Sequence, residues 1–445
     1  MDEKEAKVFL EAHEIETVIV AGTDQFGTLR GKRLPVSYFM KSMKTGYRFA
    51  WFVINTGTVD TPVSGLLETG IPDILGTPDL STIRLAPWEP KTAFVFMDWT
   101  WPDGSDCGMC PRTTLRSKQA KAAEMGYKDV FAIEMEFMIL PTPAEKIRRG
   151  GWREELSLFA DDKHCYAINE GAYHEPIVRR LREYFPEEIE ACIPEWGEGQ
   201  LEVTLRKTDG LTMADTAALF KMVAKQVAVE EGYMATFMAK VKEGISGNSG
   251  HVHQSLVDGK SSAPVFFDAA RPNSMSEIGE HYGAGVLQAF RDMTIVLAPW
   301  VNSYKRFERD SFAGMAATWG VDNRTCGFRF INETDAACRW EHRVGGADLN
   351  PYTAFAVMLG AGLIGIENKL TLPKERSGNV YHDDNVEMVP LTLTEAVDVA
   401  DKSSQLRAIL GDRFVDNLLS IAREEVLAFN TTVTDLERRR YLDMA

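Results

Sequence analysis

The segment Phe131-Ala-Ile-Glu-Met-Glu-Phe-Met-Ile139 decides how the larger part of the chain folds. Every odd-numbered residue in it is apolar, which is the alternation that one buried face of a β-strand requires. The opposite face carries Glu134 and Glu136. Two carboxylates on one face repel each other, and a sheet core tolerates them only when a cation lies beside them. The segment predicts a buried strand that presents either a charged site or, as the alternative, a solvated face with two ordinary glutamates.

Two later segments repeat the pattern of apolar residues on one face and reactive residues on the other. Glu202 faces away from the apolar residues around it, and Glu195 lies in the loop seven positions earlier. In Gly250–Ser255, His251 and His253 share one face. A histidine pair alone is more often structural than a pair of ligands, so its meaning depends on the neighbouring segments.

A fourth segment places Glu341 and Arg343 on one face. Six carboxylate or imidazole side chains could form an oxygen-rich wall that suits Mg²⁺ or Mn²⁺ better than zinc. They are Glu134, Glu136, Glu195, Glu202, His251 and Glu341. The arginines whose forks match phosphate and carboxylate oxygens are Arg306, Arg324, Arg329 and Arg343. Metal and arginine around one cavity are the equipment of phosphoryl transfer, and the sequence has no P-loop motif.

Composition and charge narrow the class of protein further. The 445 residues are 44% hydrophobic and 26% charged, which is typical of a globular protein with two or three folding units. With 49 basic and 65 acidic residues the net charge is −16, which argues against nucleic acid as a partner. No apolar run reaches the ~18 residues of a membrane span. The polar N-terminus is unlike a signal peptide, so we expect a cytoplasmic protein without a membrane partner.

The six cysteines do not form a disulfide framework in so long a chain, which fits a reducing compartment. Cys107 and Cys110 are the one close pair. A zinc knuckle needs a second pair at similar spacing, and none follows nearby. We therefore interpret both as incidental thiols.

The chain divides into a small hairpin-rich domain and a larger unit. A helix over Glu3–Ala12 precedes two strands joined by the turn Asp24-Gln-Phe-Gly27. A Gly- and Pro-rich stretch predicts a boundary between domains 1–105 and 106–445. Helical spacing recurs in Ser117–Met125, Glu175–Tyr184, Ala214–Glu230, Glu277–Leu297, Pro351–Ile366 and Asp412–Phe429. The polar insertion Pro141–Lys163 predicts a surface loop.

Several pieces occur in a recognisable order along nearly the whole chain. They are Thr23-Asp24 with Gly27, Arg30-Gly-Lys32, Cys110-Pro-Arg112, Ile133-Glu-Met-Glu136, Glu195 to Glu202, Gly247-Asn-Ser-Gly-His-Val-His253, Asn302-Ser-Tyr-Lys-Arg306, Asn323-Arg324, Arg329, Glu341-His-Arg343 and Asn350-Pro-Tyr352. In content and order they resemble the glutamine synthetase superfamily, and most of all its γ-glutamylamide and γ-glutamylpolyamine synthetase branch.

The resemblance implies an α+β fold with an N-terminal β-grasp domain and a C-terminal catalytic domain. The catalytic domain is expected to have a curved antiparallel sheet with helices outside. Relatives are usually double hexameric rings, so the resemblance implies a dodecamer whose active sites are shared between subunits. It also implies ATP as co-substrate and two or more Mg²⁺ or Mn²⁺ ions at each site.

The resemblance assigns roles residue by residue. Glu136, Glu195 and Glu202 would hold one metal, and Glu134, His251 and Glu341 the metal on the nucleotide side. Glutamate would be bound by Arg306, Arg343 and Gly247, with Glu195 beside it. ATP would contact His253, Ser255, Arg324 and Arg329. The residues implied in catalysis are Arg306, Arg324, Phe312 and Asp24, the last by entering the neighbouring subunit's site.

One position departs from the ammonia-using relatives. Their flexible loop carries a glutamate that helps take the proton from ammonium, and Phe312 occupies that position here. An apolar ring removes a charge partner for a small cation and adds surface that suits a carbon-bearing amine. Glu308 or Asp310 could replace the missing glutamate through a shifted loop. We expect Trp319, Phe312, residues near Tyr166 and the neighbouring subunit to shape the acceptor pocket.

The sequence thus predicts an ATP-dependent ligase that phosphorylates the γ-carboxylate of glutamate and joins it to an organic amine, as in amine catabolism. Glutamine synthesis from ammonia is the first alternative. A glutamine-synthetase-like binding protein without turnover is the second, although the matched ligand positions are all present.

Overall fold

The computed structural model describes residues 1–57, 59–60, 63, 67–152, 156–160 and 162–444. Strands β1 to β14 are Thr17–Thr23, Leu29–Pro35, Tyr47–Ala50, Asp73–Pro78, Arg84–Leu85, Thr92–Thr100, Tyr127–Leu140, Ile189–Pro194, Gln200–Thr208, Met234–Thr236, Gly250–Asp258, Trp319–Val321, Phe328–Ile331 and Arg339–His342. Helices α1 to α13 are Glu3–Ala12, Val36–Ser42, Pro111–Glu124, Ala144–Arg149, Ile168–Tyr184, Gly210–Glu230, Glu277–Gln288, Thr294–Leu297, Pro351–Glu367, Leu393–Lys402, Ser404–Leu410, Asp412–Thr431 and Asp435–Tyr441.

The N-terminal sheet has the strand order β2-β1-β6-β4-β3, with β5 paired to β6. Strands β1 and β6 run parallel, whereas the other pairs in this sheet are antiparallel. Cys107 and Cys110 are free, buried thiols that pack into this domain's hydrophobic core. The hydrophobic core of the N-terminal domain therefore extends to Cys110, and α3 begins at the next residue, Pro111. The boundary after residue 105 stays a prediction.

The larger sheet has the order β12-β13-β14-β11-β7-β9-β8, with β10 paired to β7. Its pairs are antiparallel, as predicted, except for the edge pair β12–β13, which is parallel. Strand β7 lies near the middle, so side chains on its polar face have neighbours from strands on both sides.

The apolar face of β7 packs against helices on the outside of the sheet. All five odd-numbered side chains from 131 to 139 are buried, as the sequence predicts. Phe131 stacks on Phe355 of α9 with ring centroids 4.6 Å apart, and Phe137 meets Phe220 of α6 edge-on at 6.0 Å. This packing fixes which face of β7 carries Glu134 and Glu136.

Two predicted segments differ from the structure. The segment predicted as one helix over Glu277–Leu297 is two helices, α7 and the short α8. Phe290, between them, stacks on His342 at 4.4 Å, so a tertiary contact overrides the helical periodicity. The predicted loop Pro141–Lys163 contains α4, which buries Ile147 against Met138 and Leu140. Residues 153–155 and 161 of this loop lie outside the described residues.

In the part of the chain that the structure describes, no helix combines the length and apolar character needed to cross a membrane.

Candidate active site

The register of three central strands brings reactive side chains into one row. His251 on β11 lies opposite Glu134 on β7. Two residues further along β7, Glu136 lies opposite Glu202 on β9. His251 Nδ1 is 3.4 Å from a carboxylate oxygen of Glu134. The row therefore exists because polar residues alternate with apolar ones on each strand and the strands pair in this register.

The row continues across the other half of the sheet. Glu341 on β14 lies between His253 on β11 and Arg329 on β13. Arg329 donates from Nη1 to Glu341 at 3.0 Å, and Arg343 donates to the other oxygen of Glu341. Burial alone would raise the pKa of Glu341, but the charge of Arg343 outweighs it and lowers this pKa to about 2. Glu341 is therefore ionised under ordinary conditions.

Two overlapping groups in the row have the spacing of metal ligands. Ligand atoms of Glu134, Glu202 and His251 lie within 4.8 Å of one another, as do those of Glu134, His253 and Glu341. His251 Nε2 is buried without a hydrogen-bond partner. Burial lowers the pKa of His251 to about 4, so its ring is neutral at pH 7 and able to ligate. Carboxylate oxygens with one imidazole fit a hard divalent cation, as predicted.

Carboxylates at the other end of the row crowd one another. Burial, with the charges of Glu134 and Glu136, raises the pKa of Glu202 to about 10. Burial and Glu195 raise the pKa of Glu136 to about 7. Four carboxylates this close are unfavourable without a cation between them. The electrostatics therefore support divalent metal at this end of the row.

Arg306 and Gly247 form a corner beside the carboxylates. Arg306 is buried, donates from Nη1 to Ser249 Oγ at 3.0 Å, and donates from Nη2 to the carbonyl of Val344. A Cβ added to Gly247 would lie 2.5 Å from Arg306 Cγ and 2.6 Å from the carbonyl oxygen of Ala239. Only glycine fits there, so the Gly247 backbone can pack directly against the Arg306 side chain.

Gln200 is a positioning residue that the sequence interpretation missed. Its Nε2 lies 3.1 Å from Glu136 Oε2, 2.9 Å from the carbonyl oxygen of Gly247 and 2.8 Å from Asn248 Oδ1. It thereby ties the metal side of the site to the Gly247 corner. The available signal was its place on β9 two residues before Glu202, which puts both on one face.

The sequence interpretation also missed Arg339, which shares the face of Glu341 and Arg343 because the three residues are spaced two apart. Arg339 donates from Nε to His253 Nδ1 at 3.0 Å. The other nitrogen, His253 Nε2, lies 2.9 Å from Glu134. Arg339 therefore sets the tautomer of His253 and turns Nε2 towards the carboxylates.

Aromatic side chains lie at the mouth of the site. The Phe312 ring meets the Trp196 ring at 5.9 Å and 75°. The Phe312 carbonyl accepts from Arg343 Nη2 at 3.4 Å, and Trp196 directly follows Glu195. The Tyr166 side chain is exposed near Glu195. Partial burial of the phenol raises its pKa, and the charge of Glu195 raises it further. Trp196 was missed by the sequence interpretation because its loop shows no periodicity.

Trp319, predicted to shape the acceptor pocket, does not lie at this mouth. It is buried in β12, packs against Trp340 at 5.6 Å and donates from Nε1 to the carbonyl of Pro373 at 2.7 Å. That prediction is wrong, because the alternation on β12 turns the ring into the core.

Within one chain, three predicted site residues make their hydrogen bonds to groups outside the row. The buried Asp24 carboxylate accepts from Arg30 Nε at 3.0 Å and from the backbone N–H groups of its own loop, which occupies it structurally. Ser255 donates to the carbonyl of Cys338 at 3.2 Å, further along β11. Arg324 is exposed on a turn, and its carbonyl accepts from Arg343 Nε at 3.2 Å. The roles assigned to these residues stay predictions.

Known proteins resemble the chain over its whole length. Residues 108–441 match the family described as glutamine synthetase, catalytic domain. The chain is 36% identical to the glutamate–isopropylamine ligase of Pseudomonas sp, over 98% of this chain and 97% of that protein. It is 34% identical to the γ-glutamylethanolamide synthetase GlnA4 of Streptomyces coelicolor, over 98% and 95%. A structure of apo GmaS matches with a TM-score of 0.87 at 26% identity, covering 98% of this chain and 99% of that one. These matches confirm the predicted fold class, and the chain belongs to the glutamine synthetase family.

Proposed function

We propose that the protein is an ATP-dependent ligase that joins the γ-carboxylate of glutamate to an organic amine. The observation that carries the proposal is the combination of the carboxylate–histidine–arginine row with an aromatic pair at its mouth. The relatives named for isopropylamine and ethanolamide chemistry support the same class of acceptor.

Members of the family depend on ATP and divalent metal, and the row fits that requirement. In our proposal Glu136, Glu195 and Glu202 hold one Mg²⁺ or Mn²⁺ ion. Glu134, His251 and Glu341 hold another on the nucleotide side, and Glu134 belongs to both of the ligand groups described above. When bound, these ions supply the positive charge that screens the repulsion between glutamate and the triphosphate.

The arginines of this chain bind and orient the two anions. Arg306 and Arg343 would bind the carboxylates of glutamate beside Gly247, and Arg324 and Arg329 would bind phosphate oxygens. A glutamate γ-carboxylate oxygen attacks the γ-phosphorus, and the bond to ADP breaks. The neutral amine nitrogen then attacks the acyl carbon, the carbon–oxygen bond breaks, and inorganic phosphate leaves with the proton that the nitrogen gives up.

The acceptor is assigned from the loop that carries Phe312. Both candidates for a replacement carboxylate are engaged elsewhere: Glu308 pairs with the buried Lys240 at 2.9 Å, and Asp310 lies 3.2 Å from His382 Nε2. The side chain at the mouth is therefore an apolar ring that favours a carbon-bearing amine over ammonium. We expect Phe312→Glu to shift acceptor preference towards ammonium.

We further propose that subunits assemble into rings, as a dodecamer with shared active sites, and that the protein is cytoplasmic. Family resemblance supports the first proposal, with Asp24 predicted to contribute to a neighbouring site. The six free cysteines support the second.

The test is phosphate release from the purified protein with ATP, Mg²⁺ and glutamate, measured with and without an organic amine, with product masses determined. We expect one γ-glutamylamide for each phosphate released. We expect these products only when glutamate and the amine are both present. Glu134→Gln is the control, because it keeps the shape of the row and removes one shared ligand. Phosphate release without an amide product would contradict the proposal.

A further inference from the structure

We propose that Lys163, held over Trp196 at the mouth of the site, restricts the acceptor to monoamines with an apolar substituent and rejects diamines and polyamines. The inference rests on the proposed amine ligase function. It assigns a specificity role to a residue in a segment that the sequence predicts to be only a surface loop.

The aromatic pair lies where the acceptor must approach. Trp196 follows Glu195, and Phe312 is tied through its carbonyl to Arg343. The pair thus links Glu195, on the proposed metal side, with Arg343, on the proposed glutamate side. Within one chain Trp196 is 46% exposed and Phe312 39% exposed, so both rings offer apolar surface to an acceptor. Surface of this kind favours the hydrocarbon part of an amine.

The backbone conformations of Phe312 and Tyr166 are unusual. Phe312 has φ +58° and Tyr166 has φ +61°, in the left-handed region that bulky residues rarely adopt. The Tyr166 N–H donates to the carbonyl of Pro194 at 3.0 Å, which fastens its loop to the end of β8. Strain of this kind persists where surrounding contacts enforce it, and it is concentrated at functional sites.

Lys163 adds a positive charge to this apolar mouth. Its Nζ lies 5.3 Å from the centre of the Trp196 ring, within the range of a cation–π contact. Among the described residues it has no carboxylate partner that would neutralise it. The carboxylates next to these two residues in the sequence are Asp162, beside Lys163, and Glu195, beside Trp196, and we assign Glu195 to metal. A second ammonium on the acceptor would meet the like charge of Lys163.

A monoamine avoids this repulsion because only its apolar part faces the mouth while its nitrogen reacts. For a second ammonium roughly 6–8 Å from Lys163 in a partly exposed setting, Coulomb repulsion corresponds to about a three- to tenfold change in kcat/KM. Because the groups are exposed to solvent, salt at about 1 M should remove most of this effect.

The experiment compares n-propylamine with 1,3-diaminopropane, which share a carbon chain and differ in the second ammonium. The quantity measured is kcat/KM for n-propylamine divided by kcat/KM for 1,3-diaminopropane. ATP and glutamate are saturating, and the amide products are identified by mass. We expect the wild-type protein to prefer propylamine. The ratio should fall about three- to tenfold in Lys163→Gln and further in Lys163→Glu.

Lys260→Glu is the matched control, because Lys260 is an exposed lysine on the turn at the far end of β11. The ratio should stay at the wild-type value in this variant.

The outcomes separate this inference from the function on which it rests. If both amines yield amide and the ratio is the same in wild type, Lys163→Gln and Lys163→Glu, the selectivity role of Lys163 is wrong and the ligase function stands. If wild type forms no amide with either amine, the proposed function is wrong and the inference falls with it.

Discussion

Replacing Gly247 with alanine tests the corner that we assign to glutamate. The added Cβ would lie 2.5 Å from Arg306 Cγ and 2.6 Å from the carbonyl oxygen of Ala239. That carbonyl accepts from the Asn248 N–H at 2.8 Å, so the backbone is held in place. Arg306 must therefore move, and its bonds to Ser249 and Val344 must stretch or break.

The size of the effect follows from the crowding. Forcing one methyl group into a close-packed site costs about 1–3 kcal/mol. If that cost falls on the bound arrangement of Arg306, kcat/KM for glutamate drops about 5- to 150-fold, at 1.4 kcal/mol for each factor of ten. The phosphate-binding residues do not touch this corner, so ATP affinity should change little.

The assay is steady-state phosphate release with varied glutamate and a fixed saturating amine. Gly171→Ala is the matched control, because the nearest atom to its added Cβ is Pro194 Cγ at 3.7 Å, an ordinary contact. We expect the control to behave as wild type. A Gly247→Ala protein with unchanged kcat/KM for glutamate would refute the assignment of Gly247 and Arg306 to the glutamate site.

Three further predictions address other parts of the site and the fold. Arg324→Ala should lose most turnover with only a modest rise in KM for glutamate, since its assigned partner is the transferred phosphoryl group; steady-state kinetics decides, and near-normal turnover would remove that role. Glu202→Gln should weaken Mn²⁺ binding about tenfold or more, measured by isothermal titration. In EDTA at pH 8 the same variant should have a higher melting temperature than wild type. The reason is that a buried carboxyl whose pKa is raised to about 10 destabilises the folded protein once the pH exceeds the pKa of that carboxyl in the unfolded chain. Burial lowers the pKa of His174 to about 4, so below pH 6.5 the unfolded chain binds a proton that the folded chain does not, and stability falls. Between pH 7.5 and 5 wild type should therefore lose about 2 kcal/mol more unfolding free energy than His174→Phe in urea titrations, and equal losses would show that His174 is protonated in the folded state.

Much of the fold was predictable because alternation on a strand is a local property. The odd-numbered residues of β7 predicted its buried face, and the same alternation on β9, β11 and β14 predicted which side chains share the polar face. Strand register was not predictable from these patterns alone. The structure supplies it by pairing Glu136 with Glu202 and His253 with Glu341.

What the sequence did not predict depends on contacts between distant segments. Nothing local indicates that Lys163 lies over Trp196, or that Glu308 is bound by Lys240. The break before α8 likewise follows from the stacking of Phe290 on His342, 52 residues later in the chain. The alternation that identified Glu341 and Arg343 could have identified Arg339, which shares their face.

The most direct test of the central claim is a competition between ammonium and a panel of alkyl, aryl and polyamine acceptors, each at the same concentration, in one reaction with ATP, Mg²⁺ and glutamate. The ratio of each γ-glutamylamide to glutamine, read by mass spectrometry, gives the ratio of the two kcat/KM values without separate assays. We predict that the γ-glutamylamide of at least one organic amine exceeds glutamine, and that Phe312→Glu moves the ratio towards glutamine. A product that is mainly glutamine in the wild-type protein would contradict the account.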